Sequence, residues 1–262
     1  MSQDTFFTVD FGVNFANTSR YPNSKLDKIM KDSYDDGVDK VVCISNNIKE
    51  AKEILLLEKK YTNLHFTVGI HPHNSKQFVE SDVQFIESVL TNPKCFGIGE
   101  CGLDYNRMFS PKKVQLHVFG LQVDLAIKYN LPLYLHCRDA WDDFIKILEE
   151  KNYFNGLVHC FTGNLNQAIY LTQKGFKIGI TGWLLDTKRN SDLVKVIKSN
   201  KITLDMLVVE TDAPFMPIDK KTKESVPSDT AYIVEEIARL KNIDIIDCGK
   251  QIYLNSIKML NR

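Results

Sequence analysis

The chain has 262 residues, 44% hydrophobic and 25% charged, a balance that suits one α/β domain with a sizeable core. Lys plus Arg and Asp plus Glu each number 33, so the net charge is zero. This excludes the overall basic footprint of a tight duplex-DNA binder and confines any nucleic-acid contact to local positive charge.

Taken in chain order, short β-branched or aromatic runs alternate with longer charged segments of helical spacing. Strand 1 is predicted over 6–14 and carries Asp10 and Asn14; strand 2 follows Gly37 over 40–45. Strand 3, over 65–71, ends in His71, with His73 just beyond it, and strand 4, over 95–100, ends in Glu100. A helix is predicted over 111–129, opening at Pro111, with Val114, Val118, Leu121 and Leu125 as its apolar stripe. Strand 5, over 132–136, starts at Pro132 and ends in His136, two residues before Arg138; strand 6, over 156–159, starts at Gly156 and ends in His159. Strand 7, over 176–181, follows Gly175 and precedes Trp183; strand 8, over 206–211, is followed by Asp212. Helices over 228–240 and 247–260 close the chain.

Eight β-then-α alternations predict a parallel sheet, and eight is the number of the (β/α)₈ TIM barrel, with residues 1–262 as a single domain. An open doubly wound sheet is disfavoured because strand 1 is not followed by a G-x-G-x-x-G turn. No apolar run approaches the ~20 residues of a membrane helix. The N-terminus lacks a basic segment ahead of an apolar one, so no signal peptide is expected and the expected location is the cytoplasm, or the nucleus of a eukaryotic cell. The six cysteines stand singly at 43, 95, 101, 137, 160 and 248, without a C-x-x-C pair. Cys101, Cys137 and Cys160 directly follow Glu100, His136 and His159, so strand alternation predicts that the thiols pack away from the face the polar residues share.

In a closed barrel the strand C-termini meet on one face, where active sites of this architecture lie. Asp10, Asn14, His71, Glu100, His136, His159 and Asp212 would gather there from distant positions. Burying that many ionisable groups costs several kcal/mol each unless they pair or bind a cation. Mixed imidazole and carboxylate donors suit Zn²⁺, Mn²⁺ or Fe²⁺. Glu100 could bridge two cations, which would clamp the attacking and leaving oxygens of a phosphodiester, with Asp212 orienting or deprotonating the attacking water.

The segments Asp10-Phe11-Gly12-Val13-Asn14, Val68-Gly69-Ile70-His71-Pro72-His73, Ile98-Gly99-Glu100-Cys101-Gly102-Leu103-Asp104-Tyr105, Leu135-His136-Cys137-Arg138, His159-Cys160-Phe161-Thr162-Gly163 and Glu210-Thr211-Asp212-Ala213-Pro214 resemble, in order, the signature blocks of the TatD deoxyribonuclease family. The resemblance implies a TIM barrel of the metal-dependent hydrolase type and hydrolysis of DNA from its ends, 3′→5′ and on single strands. It also implies divalent metal, taken as one or two Mg²⁺, with Mn²⁺ or Zn²⁺ as alternatives. It makes Glu100, His136, His159 and Asp212 the metal positions, Asp212 and Glu100 also catalytic, and His71 a catalytic or substrate-phosphate contact. Gly12 and Asn14 stand where many members carry two metal-binding His, leaving Asp10 and Asn14 as metal or site support. Ser225-Val226-Pro227 replaces the family's frequent Asn-Glu-Pro.

Arg138, Trp183 and His73 are candidate substrate contacts, and Arg107, Lys112, Lys113, Lys188, Arg189, Lys220, Lys221 and Lys223 would add a basic rim. The expected partner is DNA at its ends, with no membrane and no stable protein partner inferable. Two rival functions remain at this point: a metal-dependent deacylase or amidohydrolase of the same fold, for example on aminoacyl-tRNA, and a non-catalytic barrel used for interaction.

Overall fold

The structure, a computed structural model, describes residues 6–16, 19–218 and 223–261. Eight strands, β1 (Thr8–Val13), β2 (Val38–Cys43), β3 (Leu64–Val68), β4 (Cys95–Asp104), β5 (Leu133–Arg138), β6 (Gly156–Val158), β7 (Lys177–Ile180) and β8 (Leu207–Val209), form one sheet in chain order. A helix follows each of them: α1 (Asn23–Asp35), α2 (Ile48–Lys60), α3 (Ser81–Val89), α4 (Lys112–Tyr129), α5 (Trp141–Glu150), α6 (Leu165–Lys174), α7 (Ser191–Lys198) and α8 (Thr230–Lys241), with α9 (Ile245–Leu260) last. This is the strand and helix order of the predicted (β/α)₈ barrel. Among the described residues no helix is long and apolar enough to cross a membrane.

Two compact units are resolved, Met1–Val42 with Cys160–Arg262, and Cys43–His159. In the second, β3, β4, β5 and β6 pair in parallel. All ten residues of β4 are buried, the run expected of a strand covered on both faces. Phe119 of α4 stacks on Phe144 of α5 with centroids 5.5 Å apart. Asn47 caps α2 by accepting from the Glu50 N–H.

In the first unit β7 pairs with β8 in parallel, and the end of β8 returns to β1. Val13 bridges Ala213, the Asp212 N–H donates to Gly12 O, and the Asn14 N–H donates to Ala213 O. Asn255 of α9 donates to the carbonyls of Leu204 and Leu207, anchoring the start of β8. Asn164 and Gln167 form a capping box on α6, which ends at Gly175 with φ 115°.

The predicted stripe on α4 is rotated. Val118 and Leu125 are buried as expected, whereas Val114 and Leu121 lie half-buried, and the buried face is completed by Gln115, Phe119, Gln122, Val123 and Ala126.

Candidate metal centre

β4 aims the central carboxylate. Its Ile98 pairs with Leu133 and its Cys101 with Leu135, so Gly99 and Glu100 together face the single residue Tyr134. An extra residue of this kind bends a strand and redirects a side chain. Gly99 has φ 152°, and a Cβ there would lie 2.3 Å from Tyr134 O, so the approach admits only glycine. The strand predicted to end at Glu100 continues to Asp104, and Glu100 lies within it, 4% exposed.

Three imidazoles converge on one oxygen of that carboxylate. Glu100 Oε1 is 2.8 Å from His136 Nδ1, 3.1 Å from His159 Nε2 and 3.3 Å from His71 Nε2. His136 lies on β5, as predicted. His159 follows β6, its N–H donating to Leu135 O and its Nδ1 lying 3.1 Å from Tyr134 Oη. His71 lies beyond β3, where it caps the short 3₁₀ turn Pro72–Gln77. Its Nδ1 accepts the His73 backbone N–H at 3.0 Å, which places the proton of the neutral ring on Nε2. His71 therefore meets Glu100 as a donor.

Sequence reasoning missed Asp104. Its buried Oδ2 is 2.7 Å from His73 Nε2 and 3.3 Å from His136 Nε2, so it fixes the His136 ring with Nδ1 toward Glu100. His73, expected as a substrate contact, is tied into this network. Gln115 and Gln122 were missed as well. Gln122 Oε1 accepts the Ile70 N–H at 2.8 Å and its Nε2 donates to Ile70 O at 3.0 Å, holding the residue before His71 at both ends. Gln115 does the same for Asp104, accepting its N–H and donating to its carbonyl. The available signal was the seven-residue spacing of the two glutamines on α4.

The electrostatics follow the geometry. Burial pushes the Glu100 carboxyl up, but His159, His71 and His136 outweigh it and hold the group well below the usual carboxylate range. Burial likewise raises Asp104, and its hydrogen bonds with His136 and His73 more than reverse this. Burial dominates at His71 and lowers it to about 4 despite Glu100. At His136 burial is outweighed by Asp104 and Glu100, and the group is raised. An anionic oxygen ringed by imidazole nitrogens, in a buried setting, is a donor set that fits a divalent cation. One ligand atom from each of His71, Glu100 and His136 lies within 4.8 Å of the others. His159 lies outside that group, its Nε2 being 3.1 Å from Glu100 Oε1.

Cys101 is fully buried, while Cys137 and Cys160 are half-buried. Burial pushes the Cys137 thiol up to about 12. Cys160 Sγ lies 3.6 Å from Thr181 Oγ1 and 4.0 Å from Met216 Sδ.

Of the other predicted residues, Asp10, Asn14, Trp183 and Asp212 lie in the first unit and Arg138 in the second. Asp10 is fully buried, Oδ1 accepting from the Gly12 and Thr211 N–H groups and Oδ2 from the Thr211 hydroxyl at 2.5 Å. It thus ties β1 to the end of β8, and burial holds its carboxyl well above the usual range. Asn14 Nδ2 donates to Asp212 Oδ1 at 2.7 Å, fixing that carboxylate. Buried Glu210 accepts the Cys160 N–H at 2.5 Å. Trp183 has Arg189 over its ring at 4.1 Å and donates its Nε1–H to Arg189 O, an anchored arrangement. Arg138 is half-buried at the end of β5. Part of the basic rim is paired, Lys112 with Asp143 and Arg189 with Asp186. Lys220 and Lys221 lie outside the described residues.

A profile of the family described as TatD related DNase matches residues 9–261. Two proteins named 3′-5′ ssDNA/RNA exonuclease TatD are each 32% identical to the chain. The one from Erwinia amylovora aligns over 255 residues, 94% of this chain and 97% of its own. The one from Escherichia coli strain K12 aligns over 242 residues, 90% of this chain and 92% of its own. Among solved structures, a TatD family hydrolase from Entamoeba histolytica and a TatD homologue from Escherichia coli K12 each superpose with a TM-score of 0.87 at 25% identity. Both cover 97% of this chain and 98% of their own.

Proposed function

The chain belongs to the TatD related DNase family, and from that premise we propose that it is a metal-dependent nuclease that removes nucleotides from the ends of nucleic-acid strands, 3′→5′ and with single strands preferred. The observation that carries this reading is the convergence of three imidazole nitrogens on Glu100 Oε1. Residues 1–262 would serve as one hydrolase domain, and the relatives' names favour nuclease action over the deacylase and scaffold readings.

In this proposal Glu100, His136 and His159 hold one or two divalent cations, Mg²⁺ or Mn²⁺ first and Zn²⁺ as the alternative, with Asp212 as a further ligand. Such a cation would supply a lowered pKa for bound water and charge compensation at the phosphate. The protein's own groups do the rest. His71, proton on Nε2, donates to a phosphate oxygen. Asp212, steadied by Asn14, takes the proton of the attacking water. Asp104 keeps His136 in register, and Asp10 supports the site by tying β1 to β8. Arg138 is the first candidate for a backbone phosphate; Trp183, anchored by Arg189, is the weaker candidate for a base.

The test is cleavage of 5′- and 3′-labelled single-stranded and duplex DNA, and single-stranded RNA, with Mg²⁺, Mn²⁺ or EDTA. Shortening from the 3′ end that stops in EDTA and returns with Mg²⁺ or Mn²⁺ is expected. Undiminished turnover in excess EDTA, with metal content confirmed absent, would falsify the metal mechanism.

A further inference from the structure

The loop between β4 and α4 fixes two large hydrophobic side chains without burying them. Met108 is 50% exposed and Phe109 57% exposed. Yet hydrogen bonds pin the loop that carries them at both ends. Asp104 Oδ1 accepts from the N–H groups of Asn106 and Arg107 at 2.9 and 2.8 Å, and Asn106 Nδ2 donates to Asp139 Oδ2 at 2.8 Å. Ser110, fully buried, donates to His73 O and accepts the Lys76 N–H. Gln115 Nε2 reaches Ser110 O at 2.9 Å and Met108 Sδ at 3.9 Å. The Phe109 ring stands at 79° to His73 with centroids 4.9 Å apart, and His73 lies 4.3 Å from His71. An exposed ring is thus held one imidazole away from the Glu100 cluster.

Hydrophobic burial does not explain this placement, because half of Met108 and more than half of Phe109 remain in water. A protein partner does not explain it either: two side chains fall far short of the roughly 800 Å² that each partner of a stable complex buries. A flat aromatic beside a polarisable thioether matches one nucleobase, since every base has a π-face and stacking tolerates any sequence. The two ring-to-ring steps of 4.9 and 4.3 Å suit the reach from a phosphate across its sugar to its base.

We propose that Met108 and Phe109 form a stacking platform for the base of the nucleotide whose phosphate occupies the Glu100 cluster. The platform rests on the nuclease reading above and gives it a physical basis for strand preference. A base must leave its own stack and its pairing partner to reach the ring, so unpaired or frayed ends are selected irrespective of base identity.

The experiment uses the full chain and the variants Phe109→Ala, Phe109→Trp and Met108→Ala. Substrates are a single-stranded oligonucleotide with a normal 3′-terminal base, the same strand ending in an abasic residue, and bis-p-nitrophenyl phosphate. Phe109→Ala should raise KM for the base-bearing strand about tenfold more than for the small diester. It should also erase the wild-type preference for the base-bearing over the abasic end. Phe109→Trp should restore both, and Met108→Ala should give a smaller loss of the same kind. A strand with 2-aminopurine at its 3′ end, bound in EDTA, should be quenched by wild type and Phe109→Trp and not by Phe109→Ala. Equal loss on the oligonucleotide and the small diester, or wild-type KM and quenching in Phe109→Ala, overturns the platform and leaves the nuclease reading standing. Absence of metal-dependent cleavage of any strand by wild type overturns both.

Discussion

Replacing Gln122 with leucine should destabilise the protein by about 3 kcal/mol and lower kcat at temperatures where the variant is folded. Gln122 is 2% exposed and Ile70 3% exposed, so the two hydrogen bonds of 2.8 and 3.0 Å between them are shielded from water. Leucine has a similar bulk but can neither accept the Ile70 N–H nor donate to its carbonyl. Each orphaned buried group costs about 1–3 kcal/mol, so two give about 2–6 kcal/mol. Removing the amide's own desolvation returns part of this, which sets the expectation toward the lower half. For a chain of this size the melting temperature should fall by on the order of 10 °C. His71 is the next residue, and its Nε2–H lies 3.3 Å from Glu100 Oε1. Any shift of Ile70 misplaces that donor, so kcat should drop more than KM rises. Thermal and urea unfolding give the stability, and steady-state kinetics well below the variant's melting temperature give the split. A variant within 1 kcal/mol of wild type and with wild-type kcat would show that the amide clamp positions nothing.

Glu100→Ala and Asp212→Asn should each fall below a tenth of wild-type turnover, a loss exceeding about 1.4 kcal/mol of transition-state stabilisation, while circular dichroism shows a retained fold. Metal-free Glu100→Ala should also melt below metal-free wild type, because three imidazoles lose their shared partner. Asp104→Asn should weaken Mn²⁺ binding about 10- to 100-fold in a titration of the apoprotein, since His136 loses the carboxylate that orients it. Asp10→Asn should melt at or above wild type at neutral pH. The raised folded-state pKa of Asp10 means that wild type loses stability as pH rises above the ordinary aspartate value of about 4, whereas the amide does not ionise. The melting difference should therefore grow from pH 4 to 7, and a variant that is less stable by a constant amount at every pH would contradict it.

What the sequence made legible was whatever local chemistry announces. All eight strands were found because glycine and proline punctuate long apolar runs, as at Gly37, Pro132, Gly156 and Gly175. Glu100, His136 and His159 stood out because charge interrupts buried strands. Three features were hidden. β4 runs past the predicted end at Glu100 to Asp104 because Gly102 permits a close approach to β5, which only the packed strands reveal. The α4 stripe was set one position off because a hydrophobic pattern has no place for glutamine. A buried glutamine is stable when both ends of its amide meet backbone, and that is visible only once β3 and β4 are packed against the helix. Met108 and Phe109 carry no signal in the sequence, because apolar identity says nothing about which side of a loop faces water.

The close approach of β4 to β5 also limits how such a protein can drift. A Cβ on Gly102 would sit 1.9 Å from His136 O, and one on Gly99 would sit 2.3 Å from Tyr134 O. Every point mutation at either codon that changes the amino acid adds at least that carbon, and the backbone that would have to yield is the one carrying His136. These two positions therefore offer no graded series of weaker enzymes along which selection could move the centre to a different chemistry. The exposed residues of the neighbouring loop, 106–109, carry no such steric veto. Novelty in substrate choice can accumulate there one substitution at a time, while the ligand frame passes unchanged through the same lineage.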